Sequence, residues 1–125
     1  MDAMDAWIER IYTEKGVYTQ YSNKIFYLPD LIKSEWNHEF EKLCRNRLIM
    51  GAFRYGELDR KHRGIKEYDY VESALDRLKL YKDSPNLEIL VDVANFMLLE
   101  FTLCRNTVPL ISVDDGIHCV TYQGE

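Results

Sequence analysis

Apolar and polar positions along the chain recur with two different periods, and the switches between them predict its elements. Over residues 1–14, Trp7, Ile8 and Ile11 fall on one side, which fits a short helix or arm, and Gly16 ends that pattern. Val17-Tyr18-Thr19-Gln20-Tyr21 and Ile25-Phe26-Tyr27-Leu28 are rich in β-branched and aromatic residues. Joined by Ser22-Asn23-Lys24 and closed by Pro29-Asp30, they predict an N-terminal β-hairpin. From Ser34 to about Ile49, Trp36, Phe40, Leu43 and Arg47 or Leu48 recur at helical spacing, with Ser34 placed to cap the helix. Gly51 and Gly56 bracket Ala52-Phe53-Arg54-Tyr55 as a structured turn, and a basic loop runs on to Lys66.

A second helix is predicted over Tyr68 to Lys82, with Val71, Ala74, Leu75, Leu78 and Tyr81 on its buried face. Ser84-Pro85 reads as the start of a third, Ser84 as N-cap and Pro85 at the first helical position. That helix runs to about Leu103 and is apolar around most of its circumference, so it is expected to be the central element. Arg105-Asn106-Thr107-Val108-Pro109 ends it. Leu110 to Val113 and Ile117 to Tyr122 then predict two short strands around an Asp114-Asp115-Gly116 turn. The expectation is a single domain over 1–125, mainly α with small β elements (α+β). It comprises an N-terminal β-hairpin, about three main helices, short C-terminal strands and a sheet edge that invites oligomerisation.

Composition narrows this picture. With 46% apolar and 30% charged residues, the 125-residue chain falls among folded globular domains rather than disordered ones. Cys44, Cys104 and Cys119 are widely spaced and form no Cys-x-x-Cys pair, so buried free thiols in a reducing compartment are expected. Met1 to Trp7 has neither the basic nor the apolar region of a signal peptide. The apolar stretch Ile89 to Leu103 is interrupted by Asp92, Asn95 and Glu100, and is too short to span a bilayer. A cytoplasmic protein without a membrane segment is therefore expected. The net charge of −5 argues against a nucleic-acid polymer as partner. That charge is segregated. Arg45 to Lys66 holds seven Lys or Arg against Glu57 and Asp59, a balance of +5 that leaves −10 on the rest. Such a segment favours one confined anionic ligand.

The third helix carries the most informative chemistry. Glu88, Asp92 and Asn95 stand at i, i+4 and i+7 on one face, with Phe96 beside them. Buried polar groups cost about 1–3 kcal/mol unless partnered. They either answer donors from a neighbouring helix or the basic loop, or they hold the polar edges of a ligand or a metal. Glu35 and Glu39 read as a second carboxylate pair at i, i+4. Two facing helical pairs are how all-α nucleotide pyrophosphatases hold magnesium against a triphosphate, although the usual Glu-Glu-x-x-Glu run is missing and a solvated face also explains Glu35 and Glu39. In Asp114-Asp115-Gly116-Ile117-His118, the acids and the imidazole suit ribose hydroxyls and a phosphate or purine edge, while an Asp-Gly turn explains most of the motif structurally. Arg54 and Arg60, with Tyr55, Tyr68 and Tyr70 near them in sequence, combine phosphate capture with stacking surface, or form part of a solvated loop. There is no Gly-rich phosphate loop, no His-Glu-x-x-His and no Ser or Cys nucleophile motif.

The segments Glu67 to Leu78 and Asn86 to Phe96, the latter with its Val-Asp-Val-Ala-Asn-Phe core, together with the Asp-Asp-Gly-Ile-His tail, resemble the small phage proteins known as Thoeris anti-defence proteins of the first type. The resemblance covers roughly Glu35 to His118. It implies a sponge that sequesters cyclic ADP-ribose isomers made by host TIR-domain enzymes without degrading them, so that the Thoeris effector is not activated. It also implies homodimers, or hexamers that trap cyclic oligonucleotides at a separate site. The family's binding asparagine falls on Asn95. Phe96, Asp92, Tyr70, Arg54, Arg60, Asp114, Asp115 and His118 are the further ligand-binding candidates on chemical grounds. Neither a catalytic residue nor a cofactor nor a metal is expected. The rival readings are a magnesium-dependent pyrophosphatase using Glu35, Glu39, Glu88 and Asp92, and an inhibitor docking a host enzyme through its Tyr-rich surface.

Overall fold

Local capping chemistry decides where the helices begin and end. The computed structural model describes residues 3–13, 18–21, 23–57 and 68–111, and these are mainly helical. Contacts divide the chain into one compact unit of Met1–Leu31 with Val108–Glu125 and another of Ile32–Thr107. In the first unit, α1 (Ala3–Thr13) holds Trp7 half-buried, with Ile8 exposed. Strands β1 (Tyr18–Tyr21) and β2 (Lys24–Tyr27) pair antiparallel, Tyr18 opposite Tyr27 and Tyr21 opposite Lys24. Two strands of four residues are marginal as an isolated ribbon. The predicted C-terminal strands lie outside the described residues.

Five helices, rather than about three, are present among the described residues. The predicted helix from Ser34 is in fact two. Helix α2 (Leu28–Glu35) follows β2 directly, with Pro29 in its first turn, where a missing N–H costs nothing, and Asp30 beside it. Ser34 therefore sits inside α2 rather than at the start of a helix. The cap is Asn37, whose side chain accepts from the Phe40 amide at 2.8 Å and starts α3 (His38–Tyr55). The turn expected at Ala52 to Tyr55 is likewise the last turn of α3. It stops at Gly56, which takes a φ of 91° open to glycine and donates its N–H to the Ala52 carbonyl at 2.9 Å.

Helix α4 (Tyr70–Asp83) begins at Asp69, whose carboxylate accepts from the Glu72 amide at 2.9 Å. Helix α5 (Leu87–Cys104) begins two residues later than Ser84-Pro85 suggested. Asn86 is its N-cap, accepting from Glu88, while Ser84 closes α4 through a backbone N–H to the Leu80 carbonyl. Serine and asparagine are comparable caps, so two adequate candidates stood for one helix start.

Helix α5 packs against both α3 and α4 and is central to its unit. Among the described residues the buried set is small: Ala74 of α4, and Ile89, Val91 and Asn95 of α5. The predicted buried face of α4 is corrected. On α4, Ala74 is buried and Tyr81 half-buried, but Val71, Leu75 and Leu78 are exposed. Trp36, which precedes α3, and Phe40 and Leu43 on it are also exposed, and the least exposed positions of α3 are Cys44, Leu48, Gly51 and Ala52. Mostly small residues let α3 lie close to α5, and the large side chains are left on the other side. No helix among the described residues is long and apolar enough to cross a membrane.

The two start signals are separable by mutation. Asn86→Ala should lower the unfolding free energy by about 1 kcal/mol and Ser84→Ala by less than about 0.5 kcal/mol in urea titrations. The reverse order would return the cap to Ser84.

Candidate functional site

The polar face of α5 is answered from both neighbours. Arg47, in the middle of α3, donates from one terminal nitrogen to Glu88 Oε1 at 2.7 Å and brings the other within 3.8 Å of Asp92 Oδ1. Arg77 of α4 approaches Asp92 Oδ2 with its Nε at 3.9 Å. The first contact is a short charge-assisted hydrogen bond; the other two are ion pairs beyond hydrogen-bonding distance. All four side chains keep substantial exposure, so each pair contributes no more than about 1 kcal/mol.

Asn95, 7% exposed, sits deepest. Its Nδ2 donates to the Cys44 carbonyl at 3.1 Å, while its Oδ1 is buried without a hydrogen-bond partner. As α3 advances from Cys44 to Arg47, the contacts on α5 run back from Asn95 to Glu88, so the two helices are antiparallel. The same holds for α4. Tyr70 meets Phe96 with ring centroids 6.2 Å apart, and Arg77, two turns on, meets Asp92.

Beside the charges lies an aromatic ledge. Tyr68, Tyr70 and Phe96 follow one another at 6.2 Å, tilted by about 30° at each step, and the Arg77 guanidinium lies 6.0 Å from the Phe96 centroid. Tyr70, Phe96, Asp92 and Asn95 are thus brought together. Arg54 is in the last turn of α3, outside these contacts. Arg60, Asp114, Asp115 and His118 lie outside the described residues. Arg47 and Arg77 were not singled out as ligand-site residues from sequence. Their signal was helical register: Arg47 repeats with Phe40 and Leu43, and Arg77 shares a face with Tyr70 and Ala74 at i, i+4 and i+7.

The carboxylate arrangement expected for a pyrophosphatase is corrected. Glu35 ends α2 and Glu39 lies in the first turn of α3, so the break at Trp36-Asn37 removes their shared helix face. Glu88 and Asp92 face arginines. Among the described residues no group of three or more His, Cys, Asp or Glu side chains is gathered as a metal ion would need. Nor are the described thiols activated. Burial pushes Cys44 above its ordinary value, and Cys104 is pushed up chiefly by the hydrogen bond from its Sγ to Glu100 at 3.4 Å. No protein-family model, no curated protein and no solved structure matches the chain.

Two outcomes follow. Asn95→Asp would set a carboxylate against the Cys44 carbonyl in a buried site, which raises the pKa of the new acid in the folded state. The variant should lose about 2 kcal/mol at pH 7, with part recovered on going to pH 4 as the acid protonates; equal stability at both pH values would place this side chain in water. Glu100→Gln removes the acceptor charge that holds the Cys104 thiol protonated. Alkylation of Cys104 at pH 8, followed by peptide mass spectrometry, should speed up several-fold, and an unchanged rate would mean the bond is absent in solution.

Proposed function

We propose that the chain is a non-catalytic binder of a compact nucleotide-type signal of the cyclic ADP-ribose class, held on the polar face of α5 and so withdrawn from its receptor. The observation that carries this reading is the ledge of Tyr68, Tyr70 and Phe96 continued by the Arg77 guanidinium. A purine presents a flat π face, and stacking on aromatic side chains stabilises it by about 1–3 kcal/mol per base. Asp92, partly exposed beside the ledge, is an acceptor for ribose hydroxyls.

The two arginines are not equivalent in this reading. Arg47 is engaged by the 2.7 Å bond to Glu88, whereas Arg77 meets Asp92 only through Nε at 3.9 Å. Its outer nitrogens are the fork that takes a phosphate. Binding of this kind needs neither an activated nucleophile nor a metal cage. The resemblance of Glu67 to Leu78 and Asn86 to Phe96 to Thoeris anti-defence proteins of the first type points from a nucleotide in general to a cyclic ADP-ribose isomer. In that role the chain is a phage-encoded sponge, with Arg54, Arg60, Asp114, Asp115 and His118 contributing further contacts.

The test is native mass spectrometry after incubation in lysate containing an active TIR-domain enzyme, followed by heat release. A cyclic ADP-ribose isomer should be recovered unchanged. Phe96→Ala and Arg77→Ala should keep the helical circular dichroism signal while weakening binding by about tenfold or more. An empty protein would remove the reading, and a hydrolysed nucleotide would turn it into an enzyme.

A further inference from the structure

Arg47 stands between two carboxylates one turn apart on α5 and meets them unequally. One terminal nitrogen donates to Glu88 Oε1 at 2.7 Å, while the other stops 3.8 Å from Asp92 Oδ1. Arg77 approaches the remaining oxygen of that second carboxylate, Oδ2, with its Nε at 3.9 Å. Glu88, Arg47, Asp92 and Arg77 thus form a row of alternating charge with one short contact and two long ones. A guanidinium closes its two-pronged grip on one carboxylate at a time. Glu88 has the stronger hold on Arg47, and Asp92 is left to share itself with Arg77.

We propose that Glu88 is a positioning residue for the phosphate site. By holding Arg47 it keeps Asp92 turned to Arg77, and so sets how strongly a phosphate must compete for the Arg77 guanidinium. The inference rests on the reading of Arg77 as the arginine that takes a phosphate. Glu88 acts at a distance from the aromatic ledge, since eight residues of helix, a rise of about 12 Å, separate it from Phe96.

The two oxygens of Asp92 give the coupling its direction. Arg47 answers Oδ1 and Arg77 answers Oδ2. With the Glu88 charge gone, the fork of Arg47 closes on Asp92, and the pull of Asp92 on Arg77 weakens. The Arg77 guanidinium, still 6.0 Å from the Phe96 centroid, is then released before a phosphate arrives. The least exposed of the four side chains, Asp92, keeps 34% of its surface in solvent, so the row can rearrange without repacking a core. Removing a negative charge also favours an anion by simple attraction, but that effect does not need Arg47. The proposed coupling does.

Glu88→Gln, at a side chain 70% exposed, removes the charge and keeps the shape. The first readout needs no ligand: the rate at which phenylglyoxal modifies Arg77, located by peptide mass spectrometry. It should rise about threefold in Glu88→Gln, the scale of one exposed ion pair, and Glu88→Gln should leave it unchanged in an Arg47→Met background. The second is titration calorimetry with cyclic ADP-ribose, which Glu88→Gln should bind about threefold more tightly, again only while Arg47 is present. An equal gain in both backgrounds would reduce Glu88 to a general charge and overturn the proposal, as would an Arg77 rate that ignores Glu88→Gln. If the Arg77 rate responds as expected and no variant binds cyclic ADP-ribose, the coupling stands and the ligand reading fails.

Discussion

An amide and two carboxylates within two turns of a largely apolar helix have to be answered, and the positions of α3 and α4 follow from that need. The amide is the strictest. Asn95 is buried, and its Nδ2 finds the Cys44 carbonyl in the middle of α3. A backbone acceptor at that distance requires the two helix axes to approach closely, which the face of Cys44, Gly51 and Ala52 permits and one of Phe40 and Phe53 would not. Once α3 is held there and antiparallel, Arg47 arrives one turn along at Glu88 and Asp92. Asp92 in turn faces Arg77 of α4, so one carboxylate is shared by arginines from both flanking helices. Oδ1 of Asn95 is left over, a buried acceptor whose cost the surrounding contacts must offset.

Much of this was legible in the residues. The helices expected over Tyr68 to Lys82 and Pro85 to about Leu103 place α4 and α5 to within a few residues, and the stripe of Glu88, Asp92 and Asn95 implies donors from elsewhere. Which donors could not be read. Arg47 and Arg77 stand in sequence among many other basic residues, and only three-dimensional proximity distinguishes them from Arg45 or Lys79. Helix starts failed for a different reason. Ser34 and Ser84 are competent caps that the chain bypasses for Asn37 and Asn86, because a cap acts only where tertiary packing ends the preceding helix. Large apolar residues misled most. Leu43 and Leu75 do lie on helices, yet both are exposed, since a helix apolar on two sides does not announce which side is inside, and Trp36 falls in the break before α3.

The charge balance around Asp92 decides what kind of ligand could gain from this surface. Two guanidinium groups and two carboxylates cancel, so the cluster exerts little long-range pull on a polyanion, and salt would screen what remains. Contact energy has to come from elsewhere, and the aromatic ledge is the available source. A flat, compact molecule that stacks on Phe96 and exchanges Asp92 for its own phosphate at Arg77 loses one weak ion pair at 3.9 Å and gains a shorter, charge-assisted bond. A long nucleic acid gains no more at this spot than a single nucleotide does. In the proposed role, the same geometry that neutralises the face for steering therefore favours a small ligand over a polymer.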